Sequence, residues 1–303
     1  MRTRYVARRI DGILLLDKHS GLSSNAVLQR VKRLYRAERA GHTGTLDPLA
    51  TGILPICFGD ATKFGGELLE AHKGYCASIK LGERTETGDA EGVVIERKPV
   101  SVSPAQLDAV INRFRGEIAQ VPPMYSALKH QGRPLYELAR KGLVIERNSR
   151  RVHIFKLDVL QFNAPELVID VVCSKGTYIR TLAEDIGAEL GCGAHLVGLR
   201  RTSIGQFCIP QAQTLATLED LEEVARDNML LPVDALVASW THVTLSAELA
   251  AKFLHGQAVT SMETVPKMQI LRVAVYDCME KFLGVGELNG AGTLSPSRLL
   301  RAH

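Results

Sequence analysis

The residues most able to do chemistry lie in one short segment, residues 41–52, with the sequence GHTGTLDPLATG. Its glycines and its proline predict a tight, irregular backbone path. Within it, His42 offers an imidazole that can move protons, and Asp47 offers a carboxylate that can act as a nucleophile or base. The plainer alternative is that Asp47 only caps its own turn, because Asp-Pro is a common turn opener. The loop alone does not decide between the two.

Other kinds of site have weaker support in the sequence. No lysine follows the last glycine of the segment, so the pattern of a phosphate-binding P-loop is absent. Gly284 and Gly286 do not open a helix after a strand, which argues against a dinucleotide site. Cys192 and His195 stand three apart, but no second ligand pair accompanies them. We therefore expect no metal site.

Alternating and helical apolar patterns predict the elements that must position this segment. Ser23-Ser24 and Ser103-Pro104 are typical starts of amphipathic helices, and a third helix is expected over residues 177–190. The mixed order of strands and helices favours an α+β fold over a doubly wound sheet. Strands are predicted at residues 12–17, 53–58, 74–81, 152–162, 167–174 and 195–201.

A basic excursion is predicted over residues 120–151, between the core elements. This segment combines Pro122-Pro123, Gly132, Pro134 and Gly142 with lysines, arginines and a histidine. Such a segment is typical of a partly mobile functional loop, and its charge suits contacts with phosphates. The helix after Ser23 carries further cations on its outer face, namely Arg30, Lys32, Arg33 and Arg36.

The bulk composition excludes several classes of protein. The 303 residues are 46% hydrophobic with a formal net charge of +4, as expected for a globular chain of one large or two unequal domains. No apolar run approaches the length of a membrane span, and the six cysteines are scattered without a Cys-x-x-Cys motif. We therefore expect a reduced, cytoplasmic protein with no membrane association.

Four separated segments together resemble the bacterial tRNA pseudouridine synthase B (TruB) family. Residues 41–55 match its signature loop, residues 123–140 its RNA-gripping thumb, residues 173–185 a third motif around GTYIR, and residues 191–201 a fourth around CGAH and LRR. Residues 12–18 also match the opening strand. The sequence departs from the family at residues 18–21, where KHSG replaces Lys-Pro-x-Gly, which should loosen one turn only.

The resemblance implies a pseudouridine-synthase fold, with a mixed, mostly antiparallel sheet flanked by helices and loops. It implies a catalytic domain over residues 1–235, with the thumb at about 120–151. Residues 236–303 are expected to form a small β-rich, PUA-like RNA-binding domain, on the strength of position and glycine-punctuated strands such as 271–276 and 282–288.

The resemblance also assigns roles to individual residues. Asp47 corresponds to the nucleophile, Arg180 to its ion-pair partner, and Tyr75 to the tyrosine that stacks on the extruded base or takes part in proton transfer. Further contacts with the substrate are implied for His42, Tyr178, Leu199 and Lys18. Of these, His42 would help displace the base, and Lys18 would lie behind the site or face a phosphate.

The expected reaction is conversion of uridine 55 in the T-loop of tRNA to pseudouridine, with base flipping and without any cofactor. The expected partner is the tRNA T-arm, no obligate protein partner is evident, and a monomer is expected. Two alternatives stay open at this point. One is a non-catalytic tRNA-binding or folding chaperone, which would have no use for a carboxylate in an RNA-facing pocket. The other is the related class guided by small nucleolar RNAs.

Overall fold

The computed structural model describes residues 6–260 and 270–301. Within these residues the strands are β1 Gly12–Lys18, β2 Ala40–His42, β3 Thr51–Phe58, β4 Lys73–Leu81, β5 Glu83–Thr85, β6 Val94–Arg97, β7 Gly116–Gln120, β8 Lys129–His130, β9 Arg133–Pro134, β10 Arg150–Asn163, β11 Glu166–Cys173, β12 Ala194–Ile204, β13 Phe207–Cys208, β14 Gln213–Thr214, β15 Thr241–Leu245, β16 Val259–Thr260, β17 Leu271–Asp277, β18 Phe282–Leu288 and β19 Thr293–Leu299. The helices are α1 Ser24–Leu34, α2 Gly66–Glu70, α3 Pro104–Arg113, α4 Leu135–Ala139, α5 Ile179–Glu189, α6 Leu215–Asp220, α7 Glu223–Asp227 and α8 Ala247–Leu254. No helix of the described residues is long and apolar enough to cross a bilayer.

The larger sheet has ten strands, eight of them in the order β14-β1-β3-β12-β4-β11-β10-β7, with β2 paired to β3 and β13 to β12. Among the described strand pairs of this sheet, only β1–β14 and β3–β12 are parallel. The expected α+β fold with a mixed, mostly antiparallel sheet is confirmed. The second sheet has the order β15-β17-β18-β19-β16 and forms the β-rich C-terminal part of the chain.

Two helices begin at the predicted serines. The Ser23 side chain accepts a hydrogen bond from the Ala26 N–H at the start of α1, and Ser103 forms a reciprocal capping box with Gln106 at the start of α3. Such caps satisfy backbone donors that a helix leaves unpaired in its first turn. The third helix, α5, begins at Ile179, two residues later than predicted, because Tyr178 is extended and acts as the N-cap.

The helices α1, α3 and α5 pack on one face of the large sheet, where they share a core with β1, β3, β4, β11 and β12. The C-terminal sheet packs on the opposite face through a second cluster that includes Ile13, Ile53, Ala274 and Val285. Arg272 of β17 strengthens this junction, because it lies over the Trp240 ring and forms two hydrogen bonds with Glu67 of α2. The boundary at residues 235 and 236 stays a prediction.

Gly52 permits the close pairing of β3 with β12 at the point where the glycine-rich loop ends. Its φ is +102°, and a Cβ there would lie 2.2 Å from the Arg201 carbonyl oxygen. Backbone therefore occupies the space that a side chain would need, and backbone cannot move aside without breaking the β3–β12 pairing. The last glycine of the GHTGTLDPLATG segment is fixed by packing between strands.

We expect Gly52→Ala to destabilise the protein by at least ~2 kcal/mol, because it combines a disfavoured backbone conformation with overpacking. Gly116→Ala is the matched control, since Gly116 has a φ of +83° but no atom within 4 Å of the added Cβ. The free energies of unfolding in urea check this. Equal losses in the two variants would contradict the packing argument.

Candidate active site

Asp47 and Arg180 form an ion pair at the mouth of a cavity. The Nε of Arg180 lies 3.0 Å from Oδ2 of Asp47. The Arg180 side chain is only 5% exposed, whereas that of Asp47 is 34% exposed. The carboxylate therefore keeps one accessible edge while the guanidinium behind it is buried. This is the geometry that a nucleophilic carboxylate needs, since it must be both held and reachable.

Three further acceptors fix the Arg180 guanidinium. It donates to the carbonyl oxygens of Thr87 at 3.2 Å and Tyr125 at 2.7 Å, and its Nη1 lies 3.5 Å from Oδ2 of Asp89. Asp89 is buried and accepts hydrogen bonds from the Thr87 hydroxyl and the Glu91 N–H. The guanidinium therefore has a fixed orientation, because its fork of donors is matched by acceptors from several segments.

The sequence interpretation missed Asp89. Its signal is the turn sequence TETGD over residues 85–89, where Gly88 has a φ of +71°. A Thr- and Gly-rich turn ending in Asp is also common in ordinary loops. Only the tertiary contact with Arg180 distinguishes this one.

Burial raises the pKa of the Asp47 carboxyl, and the charge of Asp89 adds to this effect. The cations Arg180 and Lys18 oppose it by lowering the pKa. The two tendencies have different chemical consequences. Desolvation makes the carboxylate more reactive, and the neighbouring cations limit the rise of its pKa.

Buried groups behind the glycine-rich loop hold it in place. The Lys18 ammonium donates to the carbonyl oxygens of His19, Pro48 and Ala50 at 2.9, 3.3 and 2.6 Å. Lys18 is 0% exposed, and burial lowers its pKa to about 8. Of the two positions expected for Lys18, these contacts fit the one behind the site, because the ammonium's donors are used inside the protein. It is a residue that positions the loop.

Two more side chains brace the same loop. The Ser24 hydroxyl donates to the Leu46 carbonyl at 3.0 Å and accepts from the Leu46 N–H at 2.8 Å. The buried Arg201 donates to the carbonyls of Ile53 at 2.8 Å and Gly44 at 3.2 Å. Asp47 therefore sits in a loop fixed from β1, α1 and β12 at once, and the sequence interpretation gave no such role to Ser24 or Arg201.

The cavity beside Asp47 has a volume of about 280 Å³. Five of the seven predicted site residues line it, namely Asp47, Tyr75, Tyr178, Arg180 and Leu199. The other lining residues are Thr45, Leu46, Ser126, Ala127, Thr177 and Ile179. At roughly 30 Å³ per water molecule, the space equals about nine waters, which suits one small ring system and excludes a paired stem.

The two tyrosines of the cavity are held differently. Tyr75 lies in the middle of the large sheet on β4, is 8% exposed, and has its pKa raised by burial. Tyr178 is fixed through its backbone, since its N–H donates to the Gln120 side chain at 3.1 Å and its carbonyl accepts from it at 3.3 Å. Leu199 lies on β12 opposite Ala77 and forms an apolar wall.

His42 does not line this cavity. It is the last residue of β2, paired with Ile56, and is half-buried. Burial lowers its pKa, with a further decrease from Arg201, so the ring is neutral at pH 7. Its Nδ1 is buried and has no hydrogen-bond partner among the described residues.

The basic segment reaches the cavity through its first residues. Ser126 and Ala127 line the space beside Asp47, and the Tyr125 carbonyl binds Arg180. A two-stranded hairpin follows, in which Gln131 and Gly132 have φ values of 49° and 82°, as a type I′ turn requires. Beyond it lies α4.

Several cations of this segment are exposed and make no ion pair or side-chain hydrogen bond within the described residues. They are Lys129, Arg133, Lys141 and Arg150. The cationic face of α1 is less available than expected, because Arg30 forms two hydrogen bonds with Glu219 at 2.7 and 3.0 Å. The thumb is therefore the better candidate for phosphate contacts.

No group of three or more histidine, cysteine or acidic residues is arranged to hold a metal ion in the described parts of the chain. His195 is buried on β12, and its Nδ1 lies 3.1 Å from the Glu83 carbonyl oxygen. Its ring is therefore used in a contact with the backbone.

Three family models match the chain in sequence. The first is described as the N-terminal domain of TruB family pseudouridylate synthases and matches residues 32–179. The others, described as the tRNA pseudouridylate synthase B C-terminal domain and the C-terminal part of pseudouridine synthase II TruB, match residues 180–238 and 241–300.

Curated relatives extend this match to nearly the whole chain. A tRNA pseudouridine synthase B of Chromobacterium violaceum is 53% identical over 293 residues, which cover 97% of this chain and 95% of the relative. One of Burkholderia mallei (strain ATCC 23344) is 52% identical over 302 residues, which cover 99% and 97%. The chain belongs to the tRNA pseudouridine synthase B family.

Solved structures agree on the fold of this TruB-family chain. A chain of a Cbf5–Nop10–Gar1 complex superimposes with a TM-score of 0.74 at 26% identity, covering 95% of this chain and 84% of that one. A chain of an H/ACA RNP bound to a substrate RNA containing 2′-deoxyuridine gives 0.73 at 25%, covering 96% and 85%. Identity to the TruB relatives, at 53% and 52%, is about twice as high as identity to these two chains.

We expect Arg180→Gln to lower kcat/KM by about 10²–10³-fold, as loss of one preorganised charged donor does elsewhere. Because Arg180 lowers the pKa of Asp47, its loss should also move the acid limb of the kcat/KM–pH profile to higher pH. The wild-type limb should itself lie above the ordinary pKa of Asp, which is about 3.9.

Arg200→Gln is the control for this pH profile. Arg200 forms two hydrogen bonds with Asp17 at 3.1 and 2.7 Å and does not line the cavity. Its loss should leave the acid limb where it is. An Arg180→Gln limb at the wild-type position would show that the ion pair does not set the ionisation of Asp47.

Proposed function

We propose that this protein converts uridine 55 in the T-loop of tRNA to pseudouridine, with Asp47 as the nucleophile. The observation that carries the proposal is the buried Arg180 guanidinium, which holds Asp47 at the mouth of a cavity for one ring system. Membership of the TruB family supports the reaction class and a tRNA substrate. The choice of position 55 rests on the resemblance alone.

The reaction begins when the target nucleotide leaves the RNA stack and enters the cavity. The base lies against Tyr75, and Leu199 and Tyr178 close the sides. Asp47 forms a covalent adduct with the nucleotide, and the bond between N1 and C1′ breaks. The uracil turns and C5 bonds to C1′, and the bond between Asp47 and the nucleotide breaks, which regenerates the free carboxylate. The C5 hydrogen leaves as a proton and N1 takes one up. Atoms and electrons balance without an oxidant, so no cofactor is required.

The thumb and the C-terminal sheet supply the RNA grip in this proposal. The exposed cations from Lys129 to Arg150 neutralise phosphates, and residues 236–303 act as a PUA-like RNA-binding domain. The protein is proposed to act as a cytoplasmic monomer on free tRNA, with the T-arm as its main contact and no obligate protein partner.

A purely RNA-folding role fits the site less well. Asp47 and the buried Asp89 place two carboxylates next to the RNA-facing cavity, where they repel phosphate. A binder gains nothing from this arrangement, whereas a nucleophile requires it.

We expect Asp47→Asn to abolish tritium release from tRNA labelled at C5 of uridine, with a loss of at least about 10⁴-fold, because an amide cannot form the adduct. Binding of tRNA by the variant should stay within a few-fold of wild type, since shape and charge elsewhere are kept. Asp17→Asn is the matched control and should stay active, because Asp17 does not line the cavity. Asp47→Asn turning over at the wild-type rate would rule out the proposed nucleophile.

A further inference from the structure

Three aromatic rings contact one another, tilted by 33° and 39°, on the surface of the large sheet. The Phe155 ring centroid lies 4.1 Å from that of His72 and 4.5 Å from that of His153. Both histidines are exposed, and Phe155 is 48% exposed. We call these three residues the ring cluster. Together the half-exposed phenyl ring and the two histidine rings leave aromatic surface open to solvent, where a ligand can contact it.

The ring cluster stands close to the candidate active site. His72 lies directly before β4 and three residues before Tyr75. Three residues of extended chain span about 10 Å. Ser174 connects the cluster to the cavity rim, because its N–H donates to the His153 carbonyl at 2.9 Å and its own carbonyl accepts from the Thr177 hydroxyl at 2.9 Å. Thr177 lines the cavity beside Asp47.

The surroundings of the ring cluster carry cations whose partners are exposed. Lys175 pairs with Glu70, both more than half exposed, and Arg151 pairs with Glu117 at 2.7 Å, with side chains 81% and 57% exposed. Exposed ion pairs of this kind contribute little to stability, so each cation can exchange its carboxylate partner for another anion. A phosphate chain passing the cluster can therefore recruit Lys175 and Arg151 at small cost.

The helix α2 connects the surroundings of the ring cluster with the C-terminal sheet. Glu70 ends α2, and Glu67 in the same helix binds Arg272 of β17. An RNA that occupies the cavity and also contacts the C-terminal sheet along α2 passes the ring cluster beside it. This continuity identifies RNA as the occupant of the surface.

We propose that His72, Phe155 and His153 form a platform on which an unpaired base of the RNA substrate stacks while the target uridine occupies the cavity beside Asp47. The platform rests on the proposed function, which supplies the RNA. Exposed aromatic faces are the usual means of holding splayed RNA bases, and they do so without reading the sequence. The platform therefore contributes affinity and placement, and it leaves the chemistry at Asp47 unchanged.

The test is steady-state kinetics and equilibrium binding with a full-length tRNA transcript, using Phe155→Ala, Phe155→Trp and Leu160→Ala. Leu160 is the matched control, because it is 60% exposed on the same strand and makes no ring contact. We expect Phe155→Ala to raise KM and Kd by about tenfold, within the usual range for loss of base stacking, with kcat within twofold. Phe155→Trp should restore the wild-type values, and Leu160→Ala should match wild type.

Thermal unfolding of each variant separates binding from folding. Phe155→Ala with an unchanged Tm and a raised Kd supports the platform. The platform is overturned if Phe155→Ala shows the same KM and Kd as Leu160→Ala. It is also overturned if Phe155→Trp does not restore RNA binding. If the wild-type protein makes no pseudouridine, the proposed function fails, while the Kd comparison still tests whether the ring cluster binds RNA.

Discussion

The buried guanidinium of Arg180 is the interaction on which the rest of the site depends. A buried cation is tolerated only when it is paired and hydrogen-bonded, and Arg180 meets this condition through two carboxylates and two carbonyls. Its partners come from the glycine-rich loop, the turn after β5 and the base of the thumb. One side chain thus fixes the relative positions of three segments that are far apart in sequence.

This arrangement explains why the site is made of scattered short motifs. Asp47 and Arg180 are 133 positions apart. They meet because β3, which follows the loop of Asp47, pairs with β12, and α5, which carries Arg180, packs in the core on the same sheet. The loop that carries Asp47 has little regular structure of its own, so Lys18, Ser24 and Arg201 hold it from behind. The substrate side is thereby left free of supports, which keeps one edge of the carboxylate open to a ligand.

The local features of the fold were predictable from sequence because they depend on nearby residues. Ser23 and Ser103 cap their helices as expected, and β18 spans the predicted residues 282–288. The first part of the segment 41–52 was expected to be a loop, but Gly41 and His42 belong to β2. Pairing with β3 overrides the local preference of glycine at that position.

The site was predictable where a motif carried it and less so where tertiary contacts decide. Tyr75 and Leu199 line the cavity as the resemblance implied, although nothing in a lone strand residue marks it for this role. Asp89 was missed, and for Lys18 the sequence left open whether it lies behind the site or faces a phosphate. In both cases the partners are buried backbone or side-chain groups from other segments, which sequence spacing does not reveal.

The most direct test of the account is to map pseudouridine in tRNA from cells that lack the gene, complemented with the wild-type protein or with Asp47→Asn at equal abundance. The account predicts pseudouridine at position 55 with the wild-type protein and unmodified uridine there with Asp47→Asn. Full modification of position 55 with Asp47→Asn, or no change at that position on deletion, would contradict it.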